Sequence, residues 1–83
     1  MKLADEIREY TLVALIKPAR RQGYKTVSFT ALDVHKGMGI QENRFPAVCT
    51  AIDADKFLTY AKVTLVSRQG PLQSSSVCWT FGI

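Results

Sequence analysis

The C-terminal part of the chain alternates. Lys62, Val63, Thr64, Leu65 step polar, apolar, polar, apolar toward Val66, and Val77, Trp79 and Phe81 alternate with Ser76, Cys78 and Thr80. Between the two runs lies Arg68-Gln69-Gly70-Pro71-Leu72-Gln73, whose glycine and proline suit a turn. Successive strand side chains point to opposite faces, so the pattern predicts an antiparallel hairpin with one apolar face. A hairpin alone is marginal in water. Its apolar face must be covered by the residues that precede it, and those residues carry a different period.

Leu3 to Lys17 predicts a helix. Leu3, Ile7, Tyr10 and Ala14 recur at helical spacing, Val13 and Ile16 widen the stripe, and Pro18 is expected to stop it. Ala19 to Lys25 is expected to be a basic connector in solvent, with Arg20, Arg21 and Lys25 around Gly23. Thr26 to Phe29 predicts a short strand with Val27 and Phe29 on one side. Thr30-Ala31-Leu32-Asp33 has capping-box spacing and opens a second helix that reaches Met38, ended by Gly37 and Gly39. After a turn at Ile40 to Glu42, a third helix is expected from Asn43 or Arg44 to about Asp55. Pro46 sits in its first turn and Val48 and Ile52 on its buried side. Phe57 to Ala61 is expected to lead out of that helix. The predicted core combines Ile7, Val13, Leu32, Val48 and Ile52 from the helices with Val27, Phe29, Leu65, Val77, Trp79 and Phe81 from the strands.

With 83 residues and 47% hydrophobic content, the chain has enough apolar material for one small domain and no more. Its longest apolar run is Leu12 to Ile16, far short of the roughly 20 residues that span a bilayer. Asp5, Glu6 and Glu9 interrupt the first fifteen residues, unlike a secretory signal, so a cytoplasmic location is expected and no membrane partner. Cys49 and Cys78 lack metal-ligand or disulfide-scaffold spacing and are expected to be reduced, with Cys49 near the core and Cys78 facing away from it. His35, the single histidine, is expected on a solvent-facing side of the second helix; with two distant cysteines it does not make a zinc site. Ser74 to Ser76 have no base to activate them, and Gly37-Met38-Gly39 lacks a nucleotide fingerprint. No enzyme, metal or cofactor is expected.

Eleven Lys/Arg against seven Asp/Glu give +4, a sign that suits a polyanionic partner. The order helix, strand, helix, glycine turn, helix, hairpin resembles the winged helix-turn-helix superfamily. The resemblance is carried by Val27-Ser28-Phe29, Thr30 to Met38, Gly39-Ile40, the helix with Val48 and Ile52, and the closing hairpin. It implies an α+β domain of three helices and a small antiparallel sheet spanning 1–83, and a function in DNA binding, as a transcriptional regulator or as the targeting module of a larger protein. By that resemblance the third helix reads the major groove through Gln41, Asn43, Arg44 and Thr50. Lys36 contacts backbone from the second helix, and Lys62 and Arg68 do so from the hairpin. Asn43 is equally a plain helix cap, and Arg44 a solvated charge. Glu42, Asp53 and Asp55 place carboxylates on or beside the reading helix. A winged helix that binds a protein is therefore the alternative. A monomer is favoured over a homodimer, and an RNA-binding variant is the third reading.

Overall fold

The computed structural model describes residues 2–70 and 74–83. The N-terminal helix runs further than Pro18 was expected to allow. Helix α1 (Leu3–Thr11) passes through a π-helical turn (Leu12–Ile16) into α2 (Lys17–Arg21). In the π turn the Lys17 N–H bonds back to the Leu12 carbonyl, five residues earlier. Pro18 then sits in the first turn of α2, where a missing N–H is tolerated. The wider turn also rephases the buried stripe. Ile7 and Thr11 lie one turn apart, the next fully buried residue is Ile16, and Ala19 follows. Val13 and Ala14 rotate into solvent, and Val13 leaves the predicted core at 52% exposure. The Thr11 hydroxyl, buried on this stripe, donates to the Ile7 carbonyl at 2.8 Å. Arg20 and Arg21 are helical and not part of a loop. The chain turns at Gly23, whose φ of +83° is costly for other residues.

Strand β1 (Thr26–Thr30) leads directly into α3 (Ala31–Met38). The capping box forms as expected. The Asp33 N–H donates to Thr30 Oγ1 at 3.1 Å, and the Thr30 N–H to Asp33 Oδ2 at 2.9 Å. At the other end the Gly39 N–H bonds the Lys36 carbonyl and the Ile40 N–H bonds the His35 carbonyl, with Gly39 at φ +70°. This is a Schellman closure, which needs the left-handed residue that glycine supplies. Gly37 lies inside the helix, and its bare Cα lets Tyr10 approach. Helix α3 buries Ala31 and Val34, so Leu32, one position off that stripe, is 48% exposed and outside the core.

Helix α4 (Phe45–Asp53) stops two residues early. Ala54 takes an extended conformation, φ −79° and ψ 142°, and a fourth helical unit, α5 (Asp55–Ala61), begins at once. The segment expected to lead out of a helix is thus a helix. It buries Phe57 and Ala61, one turn apart, and closes on Lys62 at φ +57°.

Strands β2 (Thr64–Gln69) and β3 (Cys78–Gly82) complete an antiparallel sheet of order β1-β3-β2. Of the turn expected between them, Pro71, Leu72 and Gln73 fall outside the described residues. On the core face Phe29 of β1 meets Trp79 and Phe81 of β3 with ring centroids 5.8 and 5.7 Å apart, and Phe57 meets Phe81 edge-on at 5.4 Å. Trp79 is fully buried, as its alternation predicts. A register irregularity between Leu65 and Ser67 breaks the expected alternation of β2. Leu65 pairs across from buried Phe81 on the edge strand β2 yet stays 48% exposed, outside the predicted core. The result is an α+β domain with its helices over one face of a small sheet. Among the described residues no helix is long and apolar enough to cross a membrane.

Candidate functional site

The joint between α3 and α4 is built on His35. Its Nε2 lies 2.7 Å from the Glu42 carbonyl oxygen and 3.3 Å from the Arg44 backbone N–H, and its ring stacks on Phe45 at 4.4 Å. His35 therefore does not face solvent freely, as its helical position suggested. It ties the last turn of α3 to the first residue of α4. Nothing in the local pattern marks this, because the partners lie seven to ten residues on, across a turn.

Four of the expected contact residues gather at this joint. Lys36 is exposed on α3 and has no ion pair among the described residues. Gln41 and Asn43 are exposed in the turn. Asn43 Oδ1 accepts the Phe45 N–H at 3.3 Å, so its side chain caps the start of α4. Arg44 is exposed but reaches Glu42 Oε2 at 2.7 Å, which neutralises it locally. Thr50 is exposed further along α4.

The two hairpin residues do not join them as a pair. Lys62 precedes β2 and Arg68 lies near its far end, six residues or about 20 Å of extended chain apart. Arg68 is engaged. Its Nε and one terminal nitrogen donate to the Asp53 carboxylate at 2.8 and 3.0 Å, and the Trp79 indole N–H donates to the same carboxylate at 2.8 Å. The hydrogen bond to Asp53 raises the pKa of Arg68 further, so the guanidinium stays charged. Asp53, at the last turn of α4, thereby fixes both hairpin strands to that helix. Asp53 stood out in the sequence as a carboxylate that would repel phosphate, and its role as a brace depends on β2 and β3 arriving beside it.

The cysteines lie on different layers. Cys49 is buried on α4, and burial, with Asp53 one turn away, pushes its thiol pKa up. Cys78 is half-buried on β3, and neither is in a disulfide. No group of His, Cys, Asp and Glu among the described residues could hold a metal ion. Comparison of the chain with protein-family models, curated proteins and solved structures finds no match.

Proposed function

We propose that the domain binds duplex DNA in the manner of a winged helix, with α3, the His35-braced turn and α4 as the helix-turn-helix and β2–β3 as the wing. The observation that carries this reading is the Asp53 bridge. It holds the hairpin to the end of the helix whose start displays Gln41, Asn43 and Arg44 beside the unpaired Lys36. A helix and a hairpin fixed to each other suit a rigid partner with a groove. The strand order β1-β3-β2 supports that reading, and α5, between α4 and the hairpin, is additional to the expected order of elements. Such a module serves a transcriptional regulator or targets a larger protein to DNA.

In this reading Lys36 contacts phosphate and Arg44 pairs with guanine after releasing Glu42. Arg68 positions the wing and makes no phosphate contact while Asp53 holds it. A salt-dependent titration with mixed duplex DNA tests the proposal. Binding near 10⁻⁴–10⁻⁶ M at physiological salt is expected. Lys36→Gln should lower the salt slope by about one, and Glu42→Gln should tighten binding by freeing Arg44 and removing a repelled charge. Undetectable binding at low salt overturns the proposal. The exposed Leu32, Leu65 and Val66 favour a protein partner instead, in which case Lys36→Gln and Glu42→Gln change nothing.

A further inference from the structure

Acidic residues are confined to two stretches of this chain, 5–9 and 33–55. Two of the remaining segments, 10–32 and 56–83, contain seven of the eleven Lys/Arg and no carboxylate side chain. The fold brings parts of these two segments together at one end. An Arg20 guanidinium nitrogen donates to the Ala61 and Lys62 carbonyls, 2.6 and 2.8 Å away, joining the end of α2 to the end of α5. Thr26 of β1 and Thr64 of β2 both pair with Gly82, and the Ile83 N–H bonds the Lys25 carbonyl. Lys25 and Lys62 therefore lie just before two strands that flank one strand, with backbones about 10 Å apart. Arg21 and, one turn earlier, Lys17 stand on the helix that Arg20 anchors.

Three features separate this end from an ordinary solvated surface. Arg8, Arg44, Lys56 and Arg68 each pair with a carboxylate; of the exposed cations with no ion pair among the described residues, Lys2 and Lys36 lie elsewhere, and the other four, Lys17, Arg21, Lys25 and Lys62, belong to the segments that meet here. Lys62 occupies a left-handed conformation, φ +57°, that favours glycine or asparagine, and it is the one non-glycine residue to do so among those described. Tyr24, between Arg21 and Lys25 in the chain, has 60% of its surface exposed, and its backbone N–H is held on the Ala19 carbonyl. Uncompensated like charges cost stability, and an exposed aromatic ring adds nothing to the core.

We infer that this end is a second nucleic-acid surface, which takes a single strand by its phosphates on Arg21, Lys25 and Lys62 and stacks one base on Tyr24. Aromatic stacking beside a basic track is the chemistry by which unpaired strands are held. A duplex keeps its base faces covered and leaves Tyr24 unused. A lipid surface asks for more buried apolar area than one tyrosine supplies. The inference does not depend on the duplex proposal, which rests on Lys36, Gln41, Asn43 and Arg44; Lys62, expected from the sequence to touch duplex backbone, is assigned here to the single strand instead.

The test is fluorescence anisotropy of the full chain with a dye-labelled oligothymidylate across a salt series. Tyr24→Leu should weaken binding about fivefold or more. The triple variant Arg21→Gln, Lys25→Gln, Lys62→Gly should weaken it at least tenfold and lower the salt slope by about two. Glycine is chosen at position 62 because it suits that backbone conformation. Lys2→Gln, about 28 Å away along the N-terminal helix, should leave binding within twofold. Circular dichroism should show these surface variants folded. The inference is overturned if the wild-type chain does not bind the oligonucleotide at low salt, or if Tyr24→Leu and the triple variant bind it as wild type does. Capture by phosphatidylserine vesicles without oligonucleotide binding overturns it in favour of a lipid surface.

Discussion

Asp53→Ala removes a carboxylate that serves three hydrogen bonds at once. The Trp79 indole is fully buried, so its N–H has no water to turn to, and leaving such a donor unpaired costs about 1–3 kcal/mol. The Arg68 side chain is 21% exposed and Asp53 32%, so the guanidinium recovers some hydration; its half of the bridge is worth about 1 kcal/mol. The total, about 2–4 kcal/mol, is a large fraction of the roughly 4–12 kcal/mol available to a domain of this length. Asp53→Asn keeps an amide oxygen for the indole and should cost about half as much. Arg68→Met leaves the indole bond intact and should cost about 1 kcal/mol. Because the residues share one network, Asp53→Ala with Arg68→Met should cost less than the two separately. Urea unfolding followed by far-ultraviolet circular dichroism measures all four variants without relying on Trp79 emission, which the substitutions perturb directly. If Arg68→Met costs more than Asp53→Ala, or if Asp53→Ala lies within about 0.5 kcal/mol of wild type, the carboxylate does not brace the hairpin as argued.

Trp79→Ala should cost about 3–5 kcal/mol and leave little folded protein, read by the same unfolding curves. Thr30→Ala should cost about 1 kcal/mol by freeing the Asp33 N–H at the start of α3; an unchanged midpoint would refute the capping role. The raised Cys49 pKa has a defined sign. The native thiol keeps its proton above the ordinary value of 9.0, where the unfolded thiol has lost it, so this contribution to stability is intact below that pH and is lost as pH rises through and above it. Cys49→Ala should therefore flatten the alkaline fall in stability relative to wild type, with a difference of up to about 1.4 kcal/mol per pH unit in that window.

The alternation of Val77, Trp79 and Phe81, the Thr30–Asp33 box and the glycine at position 39 were legible in the chain, because each depends on neighbours within a few residues. They suffice for a hairpin, for the bounds of α3 and for an α+β domain. The π turn was not legible. Pro18 reads as a stop, and only the demand that Ile7, Thr11, Ile16 and Ala19 share one buried face carries the helix past it. Helix α5 was missed because Ala54, a good helix former, breaks the helix without a glycine or proline to mark it. The candidate sites divide the same way. Exposure of Gln41, Asn43 and Lys36 follows from their polarity and their place around a turn. The engagement of Arg68, the bracing by His35 and the arrival of Lys62 beside the basic stretch of Arg21, Tyr24 and Lys25 were decided by tertiary structure alone. In each of these the interacting groups stand far apart in the chain or across a turn, and a charged side chain's partner is chosen by which strand or helix packs beside it.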